Sequence, residues 1–308
     1  MKNRIHLPSA LAGALIVGLT FTTLSMQQTI SAHRIPTLTP EQAAILSRMS
    51  IVQIPDGQGG SSETIRFTGV NVQIVNGLGA TNGYPADPST FDPALTSTNG
   101  VGNLIIGYNE LGNPVGDDRT GSHTLIFGSQ LSTSGFGGQV VGFRSRMSGA
   151  YASVSGGLNN FASGAFSAIS GGSSGRASGL VASISGGNAG VASGQNASIT
   201  GGQLNVASGL RTTVLGGGSN QALAEESVIV GGGHAFDLSE GNVSEGVRSV
   251  IVGGSANRTL VGGHTSVVGG GYGRTFRVGV HPRHGGFLGG HPTLDGRNRE
   301  RRGMRPVA

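Results

Sequence analysis

Residues 151–209 read YASVSGGLNNFASGAFSAISGGSSGRASGLVASISGGNAGVASGQNASITGGQLNVASG, and this stretch decides the fold. Four-residue motifs return in it at a fixed interval: SVSG (153–156), AISG (168–171), SISG (183–186) and SITG (198–201), each 15 residues after the last. TVLG (213–216) and VIVG (228–231) keep the interval. VIVG (250–253) follows after 22 residues and SVVG (266–269) after 16. Upstream, QVVG (139–142), LIFG (125–128) and LIIG (104–107) extend the series, with gaps of 14 and 21. A fixed period of this kind is the signature of a stacked repeat, and longer gaps are loops inserted in one coil.

Half a coil away sits a second motif: FASG (161–164), RASG (176–179), VASG (191–194) and VASG (206–209). Each coil therefore carries two short strands and two turns. The spacing predicts an all-β chain, a parallel β-solenoid of 14–15-residue coils flattened into a two-sided roll. Val154, Ile169, Ile184, Ile199, Val214 and Ile229 form one column. Ala152, Ser167, Ala182, Ala197, Thr212 and Ser227 stand two residues earlier and share its face, which is taken as inward. Ala162, Ala177, Ala192, Ala207 and Ala222 form the facing column, so the two sheets are expected to pack closely. At one turn Asn160, Gly175, Gly190, Asn205, Asn220 and Asn257 recur; as Asn and Gly tolerate a left-handed backbone, positive φ is expected there. Tyr151, Phe166 and Val181, with Phe161, Val191 and Val206, are expected as a contiguous exposed stripe that a homotrimer would bury.

Composition agrees with a thin-cored repeat. Glycine contributes 58 of 308 residues and charged residues only 11%, against about 25% in ordinary domains. Glycine does not recur every third residue, which excludes collagen. Without cysteine there is no disulfide and no thiolate metal site. The net charge of +5 belongs to one end: residues 274–308 hold eight Arg against Asp295 and Glu300, a net of +6, leaving −1 for the rest. Lys2 is the chain's one lysine, so the folded body is not expected to bind nucleic acid.

The first 32 residues read as a secretory signal peptide. Lys2 and Arg4 precede an apolar stretch from Ala10 to Leu24, and cleavage is expected after Ala32. Export is the expected localisation, with no integral membrane span after signal removal. Residues 33–63 are expected to hold a short helix and linker: Thr39-Pro40-Glu41 is a helix start, and Ala43 to Met49 continues it until Asp56-Gly57 and Gly59-Gly60 break the chain. Residues 64–138 are expected as irregular solenoid entry coils. There Ile65, Phe67, Val70, Val72 and Ile74 alternate like a strand with one buried face, and residues 76–100 form a loop. Regular coils then occupy 139–272 and a basic tail 273–308.

The Ser-Val-Ser-Gly-Gly and Ala-Ser-Gly half-coils resemble the head repeats of the trimeric autotransporter adhesins, the YadA-like heads. The resemblance covers 139–272 well and 104–138 loosely. It implies a left-handed parallel β-roll that trimerises and binds extracellular matrix or host surfaces. That family's coiled-coil stalk and membrane barrel have no counterpart after residue 272, where neither heptads nor alternating strands follow. The chain more closely resembles a group of secreted bacterial proteins of unassigned function in which the same repeat follows a signal peptide and a short helix.

Catalytic, metal and cofactor sites are not expected. Gly171-Gly172-Ser173-Ser174-Gly175 matches a nucleophile-elbow pattern but lies inside the repeat without a following helix. Gly77-Leu78-Gly79 is read as a plain turn, because Tyr84-Pro85-Ala86-Asp87-Pro88 forbids the helix that a dinucleotide loop needs. Calcium-binding rolls carry an Asp in each coil that is missing here. Asp117-Asp118 and Glu225-Glu226 are read as solvated turn charges, and His281, His284 and His291 as solvated tail residues. Binding to matrix or glycan surfaces is thus the leading function class. Its rival is ice or crystal binding through the outward Ser153/Ser155, Ser183/Ser185 and Ser198/Thr200, although Ala168 and Leu215 break the rows. A polysaccharide-active enzyme would need acidic or basic clusters that the coils lack.

Overall fold

Ile184 is paired on one side with Ile169 and on the other with Ile199, both in parallel register. The same relation links Val154 to Ile169, Ile199 to Val214 and Val214 to Ile229. Repeated along the chain, it builds a parallel β-solenoid with two sheets. The computed structural model describes residues 38–234, 237–262 and 266–276. The expected signal peptide and cleavage site, the tail beyond residue 276, and His281, His284 and His291 lie outside the described residues.

The first sheet has eleven strands, from Leu104–Ile106 to Val267–Val268. The second has ten, from Ser132–Thr133 to Thr275–Phe276. The long gaps are insertions as expected: Leu104 pairs directly with Leu125, and Val228 with Val250. The last step is a 17-residue shift rather than 16, since Val250 pairs with Val267 and Ile251 with Val268. Val268 therefore takes the inward position and Ser266 is buried.

Inside, the Val/Ile column from Val154 to Ile229 is buried, and so is the facing column from Ala162 to Ala222. A fully buried Val or Ile contributes about 1.5–3 kcal/mol. The alanines leave space for that larger partner and let the sheets approach. The alanine column then gives way to Ser244 and Thr259, whose buried hydroxyls bond each other and Ser249. At the other end Leu131, Phe136 and Met147 widen the core.

The turns depart from expectation by one residue. Positive φ falls on Asn159, Ser174, Ala189, Leu204, Ser219 and Ala256, directly before the Asn/Gly column. Asn160, Asn205, Asn220 and Asn257 are instead buried, and their side chains bind the turns together. Asn205 Nδ2 donates to the carbonyls of Gly201 (2.8 Å) and Gly217 (3.1 Å). Its Oδ1 accepts the Asn220 amide at 3.0 Å. Asn220 repeats this with Gly216, Gly232 and the Asn242 amide, and Asn242 hands on to Asn257. The column is a hydrogen-bonded asparagine ladder. A second line of positive φ runs through Tyr151, Phe166, Val181, Asn196, Arg211, Glu226 and Arg248 at the opposite turn.

The chain divides into two units, residues 1–72 and 73–308. In the first, α1 spans Pro40–Leu46, with Thr39 and Gln42 forming a reciprocal capping box (Gln42 N to Thr39 Oγ1, 3.2 Å; Thr39 N to Gln42 Oε1, 2.9 Å). The helix stops three residues short of Met49, which opens strand β1 (Met49–Pro55). β1 pairs antiparallel with β2 (Ser61–Phe67). Asp56 closes the turn by accepting the amides of Gln58 and Gly60. Ile65 and Phe67, expected in a solenoid entry coil with one face buried, thus belong to a hairpin and are exposed. Val70, Val72 and Ile74 are exposed and outside any strand. The first part of the alternation marks one strand of a two-stranded ribbon, and among the described residues its apolar side chains stay exposed.

Candidate binding surfaces

Outward positions alternate with the buried column, so each coil places two side chains on the outer face of the first sheet. One row runs Phe127, Val141, Ser155, Ser170, Ser185, Thr200, Leu215, Val230 and Val252. The other runs Leu125, Gln139, Ser153, Ala168, Ser183, Ser198, Thr213, Val228, Val250 and Val267. The face therefore has three zones. Hydroxyls fill the middle coils, at a strand spacing of about 4.8 Å. Apolar side chains hold both ends, with Leu215, Val230, Val252 and Val267 exposed at the C-terminal end. Within the middle zone Ser183 Oγ donates to Ser198 Oγ one coil on, at 3.2 Å.

The expected stripe is split into two lines, of which Phe166 and Val181 in the turn stay exposed. Phe161, Val191 and Val206 lie along the outer face of the second sheet and are half-buried. Phe161 is held between two guanidinium groups, Arg146 and Arg176, each 5.3 Å from the ring centre. Arg146, Phe161 and Arg176 stand 15 residues apart, so the repeat period was the signal that could have found this sandwich, which the sequence reading missed. Tyr151, Phe166 and Val181 occupy the turn instead, across the serine row Ser148, Ser163, Ser178, Ser193 and Ser208. Tyr151 and Phe166 stack at 5.4 Å, Phe136 meets Tyr151 edge-on at 5.1 Å, and Phe91 meets Phe166 in the same way. Phe91 comes from the 76–100 loop, so the chain's own loop partly covers Phe166, one of the residues expected to await a second copy.

That loop is well braced. Asn82 is buried and donates to the carbonyls of Asp87 (2.9 Å) and Thr90 (3.0 Å), while its Oδ1 accepts the Tyr84 amide. Asp92 caps the next turn through the Ala94 amide. His123 fastens the start of the loop: its Nε2 accepts the Asn76 amide at 3.1 Å, and its Nδ1 lies 3.0 Å from the Thr81 carbonyl. Since an amide can only donate, this geometry places the ring proton on Nδ1. Between the loop and the coils lies an open groove of about 370 Å³, walled by Phe91 and Pro93 and floored by the 134–136, 148–150 and 163–165 turns. Phe91 carried no periodic signal, because the loop interrupts the repeat, whereas His123 stands in register with Gly137 and Tyr151 and shares their positive φ.

The remaining flagged residues are structural. Ser173 is bridged in parallel to Leu158 and Asn188 within the roll, with no helix after it. Gly77 and Gly79 form a turn in which Asn76 Oδ1 accepts the Leu78 amide. Asp117 accepts the amides of Asn113 and Gly112, which lower its pKa. For Asp118, partial burial disfavours the charge, but the hydroxyl and amide of Thr120 and the Arg146 guanidinium still hold its pKa below the usual range. Glu225 and Glu226, read as solvated, join an ion ladder across coils with Arg211 and Arg248. The hydrogen bond from Arg248 is the main cause of the lowered Glu226 pKa. Among the described residues no group of three or more His, Cys, Asp or Glu is placed to hold a metal ion, and no helix is long and apolar enough to cross a membrane. No protein-family model and no curated protein matches this chain.

Proposed function

We propose that the protein is an exported, non-catalytic β-roll that binds extracellular matrix or glycan surfaces and works as a homotrimer. The observation that carries this reading is the zoned outer face of the first sheet. Its middle offers Ser155, Ser170, Ser185 and Thr200 in register from coil to coil, a flat hydroxyl lattice suited to an extended partner. Its C-terminal end offers Leu215, Val230, Val252 and Val267 on successive strands, a contiguous apolar strip that further copies of the chain would cover. Export rests on the Lys2/Arg4 and Ala10–Leu24 pattern, and the secreted chain would begin at His33.

The test is adhesion of purified residues 33–308 to matrix- and glycan-coated surfaces, against a Ser155→Asp, Ser185→Asp, Thr200→Asp variant. Binding that the variant loses, at unchanged thermal stability, supports the proposal. Equal binding by both, or no binding by either, counts against it. The second reading, attachment to ice or another crystalline surface, draws on the same lattice and the Ser183–Ser198 hydroxyl contact. Freezing hysteresis abolished by the same triple substitution would favour it over adhesion.

A further inference from the structure

Resting on the reading of the chain as a non-catalytic binder, we infer that the groove beneath the 91–98 loop binds the end of a neutral oligosaccharide. The groove's volume, about 370 Å³, falls within the roughly 300–1,000 Å³ of small-ligand sites. Of its thirteen lining residues six bear a hydroxyl and none is charged. Phe91, Pro93, Ala150 and Ala165 supply its apolar surface, and Phe91 keeps 41% of its own exposed. A sugar ring is amphipathic in the matching way. Its C–H face lies on an aromatic ring while its hydroxyls exchange hydrogen bonds with Ser and Thr. An acidic glycan would need cations in the lining, and there are none.

The floor argues for a chain rather than a single sugar. Ser148 and Ser163 belong to adjacent coils, and their row continues past the loop through Ser178, Ser193 and Ser208 along the outer face of the second sheet. One end of an oligosaccharide is enclosed by Phe91, and the following units lie along the serine row. The loop is pre-formed by Asn82, Asp92 and the Phe91–Phe166 contact, so little ordering is needed on binding.

The experiment is titration calorimetry of residues 33–308 with neutral hexasaccharides (β-1,4-glucan, α-1,4-glucan, xylan, chitin) and with acidic ones (hyaluronan, heparin). The inference predicts binding of at least one neutral series, tighter for the hexasaccharide than for the disaccharide. Ser148→Leu with Ser163→Leu fills the floor and should weaken binding at least tenfold, while Phe91→Trp retains it. Circular dichroism melting checks that the leucine variant folds; if it does not, Phe91→Ala carries the same prediction. No neutral binding, a preference for the acidic series, or equal binding by the filled variant overturns the inference. Adhesion lost through the Ser155/Ser185/Thr200 face but unchanged in the filled variant would sink the groove and leave the proposed function standing.

Discussion

Asn205 is worth more to this fold than its turn position suggests. Its one side chain satisfies two carbonyls and an amide across two successive coils. Buried groups of this kind cost about 1–3 kcal/mol each when left unpaired. Asn205→Ala should therefore lower stability by about 2–3 kcal/mol in chemical denaturation. The ladder is interrupted at Gly175 and Gly190. A Cβ on Gly190 would meet its nearest atoms, Ile199 Cδ1 and Cγ2, at 3.6 Å, which is ordinary contact. Gly190→Asn should rejoin the ladder by reaching the Gly186 and Gly202 carbonyls and the Asn205 amide, raising stability by about 1 kcal/mol. A fall in stability would mean that the niche is closed. The Asn/Gly column was legible in the sequence, but its cause was not. The left-handed residue beside it is Asn, Ser, Ala or Leu from coil to coil, because backbone bonds between coils impose φ there whatever the side chain.

At the scale of the coil, the paired glycines separate into two jobs that the sequence writes identically. Gly186 points outward with nothing within 4 Å of an added Cβ, whereas Gly187 has φ +92° and would drive a Cβ into the Gly202 carbonyl. Gly186→Ala should melt within a degree or two of the parent, while Gly187→Ala should lose several kcal/mol, combining left-handed strain with a displaced neighbouring coil. Equal effects would contradict the assigned register. The strand columns and the facing alanines were readable because burial repeats with the period of the chain. The hairpin was not: Met49 to Ile54 continues the apolar run that follows the helix start, and nothing local says that Ser47 ends it.

Over the whole molecule, the period identified the roll and its insertions, including the places where the chain leaves the stack. What the insertions do was hidden, since Phe91 obeys no column and reaches a coil far away in sequence, and the column residue His123 turns out to hold the loop at Asn76. The same limit holds for the aromatic columns. Aromatic residues at 15-residue spacing look like a stripe in a list of columns, yet Phe161 and Phe166 lie on opposite sides of a serine row; Phe161 is held between two arginines, while Phe166 stacks on Tyr151 and stays 42% exposed. On the proposed reading, the apolar end of the first sheet is the surface that further copies would cover. Its assembly also separates a trimeric binder from a monomeric surface-coating solenoid. The most direct measurement is therefore the mass of residues 33–308 by light scattering at micromolar concentration. The account predicts three copies, reduced to one by Val230→Asp with Val252→Asp; a stably folded parent with the mass of a single chain would contradict it.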